Sequence, residues 1–212
     1  FVQEVWGYSP LRTGIAYLPM VVTIMVASGI ASQLVAKIGA RPLMLAGSVI
    51  ATGGLFWLSR LNEHSHYVSG LMGPMMVTAL GMGLIFVPLS LVALAKVADN
   101  DAGVASSLLN TGQQVGGSIG LAVLGTVAWS AVANYTRSAS AVAAKSASAH
   151  LTGAKAAAAQ KVVTDHAISV GFAKGYEVSA GIALLGLIIT VIAIRVKRED
   201  LAGINPMAAP TD

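Results

Sequence analysis

Long stretches without any charged residue alternate with short charged segments along this chain. Five stretches contain no Asp, Glu, Lys or Arg, and they cover residues 13–36, 42–59, 67–95, 102–136 and 178–194. Each is close to the ~20 residues that a helix needs to cross ~30 Å of hydrocarbon. Backbone polar groups in lipid must be paired within the segment, so spans of this length are helices. The pattern therefore predicts an all-α, polytopic membrane protein with five transmembrane helices.

The polar segments between these stretches give the domain organisation. We predict an outer loop at residues 1–12, a four-span membrane region at 13–136, an Ala/Ser-rich outer loop at 137–175, a last span at 176–194 and a cytoplasmic tail at 195–212. The segment 37–42 is predicted to be a short loop, and Pro74 and Pro88 predict a kink in the third span. We expect the Ala/Ser-rich loop to form only a partial helix at the surface.

The composition agrees with a membrane protein and excludes several other classes. Charged residues make up 10% of the 212 residues, whereas about a quarter is usual in soluble domains. The net charge of +4 is small and dispersed, so we expect a lipid bilayer, and no nucleic acid, as the surroundings of this chain. The absence of cysteine removes thiolate chemistry, and we expect no cofactor.

The ends of the chain and its basic residues suggest how it lies in the membrane. The chain opens at Phe1 within a loop, without the pattern of a signal peptide. We therefore expect it to be the C-terminal part of a longer protein. Lys37 and Arg41 lie in one short connection and the basic cluster 195–198 follows the last span, which favours a cytoplasmic C-terminus.

The fourth span carries a polar stripe that points to function. Asn110, Gln114 and Ser118 recur every four residues with Gln113 beside them, so they share one helix face. Gly112, Gly116 and Gly120 form a second stripe on roughly the opposite side, where small residues let helices approach closely. Two interpretations of the polar stripe remain open: its side chains bond a neighbouring helix, or they line a translocation pathway.

Other motifs suggest chemistry that their surroundings do not support. Gly116-Gly117-Ser118-Ile119-Gly120 matches the G-x-S-x-G pattern of hydrolases, which works only at a strand-to-helix turn. A membrane-embedded hydrolase using Ser118 is therefore a remote alternative, and we predict no catalytic residue. Glu63, His64 and His66 offer three donors in a short loop, and we expect a solvated connection with no metal. Lys174 and Glu177 are predicted to pair at the membrane edge.

Several of these segments together resemble one transporter family. The run Tyr8-Ser9-Pro10-Leu11-Arg12-Thr13-Gly14, followed by Tyr17-Leu18-Pro19, resembles the beginning of a late span in the fourteen-helix drug:proton antiporters of the major facilitator superfamily. Residues 37–42 resemble the weaker copy of that superfamily's cytoplasmic loop motif, G-x-x-x-D-R-x-G-R-R. Gly39 and Arg41 match it, Lys37 replaces an Arg, and Ala36 stands at the Asp. The pair Gly81 and Gly83 and the segments 103–107 and 113–120 are also similar to this branch.

The resemblance implies a fold and a function for the whole protein. It implies an exporter of two six-helix halves that rock around a midplane site, with this chain forming most of the C-terminal half. Its partners would be a small amphipathic drug or antibiotic, protons, and the missing N-terminal half, in a bacterial plasma membrane. In this family the coupling acids lie mainly in the N-terminal half, so the chain alone is not expected to transport. A facilitator that takes up sugars or metabolites would share the fold and stays open as an alternative.

Overall fold

The protein consists of long helices joined by short connections. The computed structural model describes residues 1–94, 97–145 and 154–193. The five long helices in these residues are α1 (Pro10–Ile38), α2 (Ala40–Leu58), α3 (Gly73–Leu94), α4 (Ala102–Lys145) and α5 (Ala154–Ala193). The described residues include no strand, and each long helix, α3 together with the turn before it, is apolar and long enough to cross a membrane. The predicted all-α membrane fold with five spans is confirmed.

The helices pack side by side in an order that differs from their order in the chain. Helix α3 lies between α1 and α2, α2 also packs against α5, and α5 packs against α4. The sequence of neighbours is therefore α1, α3, α2, α5 and α4. Helix α4 stands at the edge of this row and rests mainly on α5.

Two glycines of α3 explain how this helix fits between two neighbours. Gly81 and Gly83 are two residues apart, so they point to nearly opposite sides of the helix. A Cβ atom at Gly81 would lie 2.5 Å from the carbonyl oxygen of Gly47 in α2, and one at Gly83 would lie 2.9 Å from the carbonyl oxygen of Ile24 in α1. Real side chains essentially never approach so closely. Only glycine therefore allows α3 to contact both backbones at this depth.

Aromatic side chains gather at one end of the row. Trp6 and Tyr8 of the N-terminal segment contact each other, and Phe1 contacts both Trp6 and Phe172 of α5. Tyr67 donates a hydrogen bond of 2.6 Å to the carbonyl oxygen of Ala16 in α1. Trp and Tyr concentrate at membrane–water interfaces, so this arrangement is typical of one edge of a bilayer.

The first two helices meet at a single residue. Residues 37–42 were predicted to form a loop, but α1 ends at Ile38 and α2 begins at Ala40. Gly39 has φ = 86°, a left-handed conformation that glycine adopts without steric cost. Pro42 falls in the first turn of α2, where a missing N–H breaks no helical hydrogen bond. The connection is thus much tighter than its polar sequence indicated.

The third span begins with an irregular turn. Residues Tyr67–Met72 form a π-helix, in which the N–H of Gly73 bonds the carbonyl of Val68. Pro74 follows directly and has no N–H to donate, so this turn accommodates the proline at the start of α3. Pro88 lies inside α3 and is fully buried. The kink predicted from these prolines stays a prediction.

Helices α4 and α5 extend far beyond the predicted spans. The Ala/Ser-rich segment 137–175 was predicted to form a partial helix, and α4 continues through it to Lys145 while α5 starts at Ala154. Two glycines of α5 allow it to pack closely against α4 in the antiparallel direction. A Cβ at Gly171 would lie 2.7 Å from the carbonyl oxygen of Ala128, and one at Gly175 would lie 3.6 Å from the Ala128 Cβ. We call residues 128–145 of α4 and 154–175 of α5 the helical hairpin. The location of residues 137–175 outside the bilayer stays a prediction, as do the domain boundaries.

Candidate translocation surface

The polar stripe predicted on α4 is exposed along its whole length. Asn110, Gln113, Gln114 and Ser118 are all exposed, and no residue in the most apolar window of α4 is buried. The helix forms because Ala102–Lys145 contains no proline and is rich in alanine, the strongest helix former. Its position at the edge of the row leaves this polar face uncovered.

The stripe contains two kinds of polar side chain. The Ser118 hydroxyl donates to the carbonyl oxygen of Gln114 at 2.8 Å, and Thr111 bonds Ser107 in the same way. In contrast, the amides of Asn110, Gln113 and Gln114 form no hydrogen bond with another described residue. Each amide presents two N–H donors and a carbonyl acceptor. The face can therefore bond groups that lie outside this chain.

The predicted packing glycines fall into two structural groups. Gly81 and Gly83 press against the backbones of α2 and α1, whereas a Cβ at Gly112, Gly116 or Gly120 would meet no described atom within 4 Å. The role proposed for the α4 glycines, close packing against another helix, thus requires a partner beyond the described residues and stays a prediction.

The residues of the cytoplasmic loop motif lie at the other end of the row. Gly39 forms the turn, and Lys37 lies in the last turn of α1. The Arg41 guanidinium donates to the carbonyl oxygen of Val191 in α5 at 3.1 Å. That carbonyl lies in the last described turn of α5. Arg41 thus ties the start of α2 to this turn of α5, a contact that the residue pattern did not indicate.

Sequence reasoning also missed an apolar cavity between α4 and α5. It has a volume of about 270 Å³ and is lined by Trp129, Phe172 and Tyr176 among others. A second cavity of about 250 Å³ between α1, α2, α3 and α5 shares Tyr176 and contains three methionines. Aromatic residues near the ends of two predicted spans were the sequence feature that could have indicated this cavity. They come together only because α4 packs against α5.

The smaller motifs have simple surroundings. Lys174 Nζ donates to Glu177 Oε2 at 2.6 Å, and this predicted surface pair is confirmed. The Ser118 hydroxyl donates to a carbonyl of its own helix. Of the four histidines, His150 lies outside the described residues. In the part of the chain that the structure describes, no three His, Asp or Glu side chains are grouped to hold a metal ion.

Comparison with known proteins places this surface in context. No family model matches the chain. The cephamycin export protein CmcT of Amycolatopsis lactamdurans is 38% identical over 130 residues, which are 61% of this chain and 27% of that protein. The puromycin resistance protein pur8 of Streptomyces alboniger is 36% identical over 138 residues, 64% of this chain and 27% of that protein. The MFS-type transporter EfpA of Mycobacterium tuberculosis is 33% identical over 128 residues, 60% of this chain and 24% of that protein.

The chain is similar to MFS-type drug and antibiotic exporters. The predicted resemblance to this superfamily is thereby confirmed. The chain spans about a quarter of the length of these relatives. Together with the five apolar helices, the MFS-type relatives identify a multi-pass membrane protein.

Proposed function

We propose that this chain is the C-terminal part of a secondary active exporter in a bacterial plasma membrane, which releases amphipathic drugs or antibiotics in exchange for protons. Relatives named for cephamycin export and puromycin resistance support the export of such compounds. The residues that exchange protons belong, in this proposal, to the N-terminal half of the same polypeptide. In this proposal the chain has no catalytic role, and the Ser118 hydroxyl donates to the Gln114 carbonyl of its own helix.

The single observation that carries the proposal is the exposed amide stripe of α4. Polar side chains inside a membrane segment are costly unless they face water, a partner helix or a substrate. Asn110, Gln113 and Gln114 have none of these among the described residues, and all three are exposed. We assign them to the translocation pathway, where their donors and acceptors orient a substrate. Gly112, Gly116 and Gly120 allow the opposite half to pack against α4 and slide along it.

Replacing Gln114 by Leu in the full-length protein tests this assignment. The change removes two donors and one acceptor at similar volume, so efflux of polar, cationic dyes should fall about five- to tenfold while apolar dyes are affected less. Efflux rates of several dyes from cells, normalised to the amount of protein in the membrane, are the measurement.

Thr126 provides a matched control on the same helix. It is exposed and polar, but it lies roughly 120–160° around α4 from the three amides. Its hydroxyl donates to the Ala122 carbonyl at 2.8 Å. Thr126→Leu should therefore leave the dye profile unchanged. If Gln114→Leu exports every dye like the unmodified protein, or if both variants lose efflux equally, the pathway does not pass along this stripe.

A further inference from the structure

A carboxylate and an imidazole join two separate parts of the molecule at its aromatic end. His166 of α5 and Glu63, in the connection between α2 and the π-helix, lie with Nδ1 and Oε1 only 2.6 Å apart. They are 103 residues apart in the sequence. The pair therefore links the connection 59–66 to the helical hairpin. No backbone hydrogen bond between described residues joins these two segments.

The surroundings of Glu63 hold its side chain in place. Only 19% of the side chain is exposed, and its second oxygen, Oε2, is buried without a hydrogen-bond donor. The loop is ordered by Asn62, which accepts hydrogen bonds from the Ser65 hydroxyl at 3.1 Å and from the His64 N–H at 3.0 Å. A buried carboxylate with one unsatisfied oxygen depends strongly on its remaining partner. His166 is the side chain that bonds it most closely, and the backbone N–H of Glu63 supplies a further hydrogen bond.

His166 in turn contacts α4. The ring of Tyr135 lies 4.8 Å from the imidazole, centroid to centroid, so one histidine touches both the loop and the other arm of the hairpin. Its exposed fraction is 41%, which leaves a route to water and hence to protons. The imidazole is therefore accessible to solvent while it contacts both Glu63 and Tyr135.

The other charged or titratable groups near Glu63 and His166 bond other partners, lie farther from Glu63 or are exposed to solvent. His64 Nε2 is 3.6 Å from Glu63 Oε1, but its side chain is 88% exposed. On α5, Lys161 and Asp165 bond each other at 2.8 Å. On α4, Arg137 donates to Asn134 at 3.3 Å. His66, at the start of the π-helix, is exposed to solvent and has no described side-chain hydrogen bond. Glu63 and His166 are thus the pair whose charges matter for the link.

We propose that Glu63 and His166 form a proton-responsive clamp that fastens the helical hairpin to the α2–α3 connection. Protonation of the imidazole turns a hydrogen bond from a neutral donor to the Glu63 carboxylate into an ion pair at 2.6 Å, which adds Coulombic attraction to the contact. Histidine is the side chain that ordinarily gains its charge between pH 8 and 5. The clamp therefore tightens on mild acidification and loosens in alkali.

The lower limit of this response is set by the carboxylate. Burial raises the pKa of Glu63, but hydrogen bonds from His166 and from the backbone outweigh burial, so the pKa lies below its usual value. A depressed pKa contributes stability above the usual pKa of glutamate, and this contribution is lost as the pH falls through the lower, folded-state value. The clamp consequently holds across the mildly acidic range.

Hydrogen exchange of the full-length protein in lipid nanodiscs tests the clamp. After correction for the intrinsic pH dependence of exchange, amides of residues 160–170 should become on the order of fivefold more protected between pH 8 and pH 6. Glu63→Gln should abolish this gain, since it removes the charge. His166→Asn retains a neutral donor near Nδ1, so it should keep the protection of pH 8 and lose only the increase.

Asp165→Asn is the matched control because it removes an ion pair on the same helix without touching the loop. It should leave the pH dependence intact. The clamp is refuted if Glu63→Gln and His166→Asn both show the pH profile of the unmodified protein, or if Asp165→Asn abolishes the profile equally. A uniform loss of protection throughout the chain in Glu63→Gln would also refute it, because it would indicate a general structural role.

Discussion

Helices α3 and α4 carry the same sequence signature, glycines at short intervals within an apolar span, and the structure uses them in opposite ways. In α3, Gly81 and Gly83 press against α2 and α1. In α4, a Cβ atom at Gly112, Gly116 or Gly120 would meet no described atom of a neighbouring helix within 4 Å. Small residues in a membrane helix thus mark a surface for close approach, but they do not tell whether the partner lies within the same row or outside it.

The polar residues distinguish the two helices where the glycines do not. The one buried polar side chain among the described residues of α3, Thr78, donates to the carbonyl of Pro74 at 2.9 Å in its own helix. Helix α4 instead exposes three amides. A helix whose buried polar side chain bonds its own backbone serves to pack the fold. A helix with exposed amides has a polar surface that can bind a partner helix or a substrate.

The contrast between α3 and α4 predicts the largest loss of stability for a substitution at Gly81. Gly81→Ala places a methyl group against the backbone of Ala51 and Gly47, so α2 and α3 must separate. Overpacking of this kind costs about 1–3 kcal/mol of unfolding free energy. Thermal unfolding of the protein in detergent, followed by tryptophan fluorescence, measures the loss.

A smaller loss of stability is expected at Arg41. This residue bonds α5, and α5 in turn packs against α4. Arg41→Gln removes a cation from the C-terminal end of α5 and should cost about 0.3–1 kcal/mol. Hydrogen exchange should increase in residues 187–193. Lys37→Gln provides the control, since Lys37 lies in the last turn of α1 and its loss should act there. Equal exchange of α5 in both variants would show that the Val191 contact does not hold the helix end.

The smallest effect on stability is expected at Gly116. Its Cβ position is open, so Gly116→Ala should change the unfolding free energy by no more than about 0.5 kcal/mol. Efflux should fall nevertheless if α4 slides against the other half. Destabilisation comparable to that of Gly81→Ala would mean that α4 is covered as tightly as α3, and the contrast between the two helices would fail.

The sequence was sufficient for the elements whose cause is local. Charge-free windows follow directly from the cost of burying charge in lipid, so all five spans were predictable. The single-residue turn at Gly39 was not, because Lys37 and Arg41 made the segment look like a polar loop, although they lie in the last turn of α1 and the first turn of α2. Long alanine-rich arms were underestimated for a similar reason, since their scattered charges obscured a strong helix propensity.

Long-range contacts were beyond the sequence for a different physical reason. Glu63 and His166 each lie in a segment that looks solvated, and only the packing of α5 against α2 brings them within 2.6 Å. The position of the amide stripe on one face of α4 followed from helical periodicity alone. Its exposure did not, because that depends on α4 occupying the edge of the row.

The position of α5 between α2 and α4 also determines the order in which the structure can be completed. Helix α2 ends at Leu58 and α5 begins at Ala154, so 95 residues are made between them. At a synthesis rate of about 5–20 residues per second, this takes roughly 5–20 s. During that interval the side of α2 that packs against α5 lacks this neighbour, while α1 and α3 are already available to it. The hydrogen bond from Arg41 to Val191 can form only after α5 has been synthesised as far as Val191.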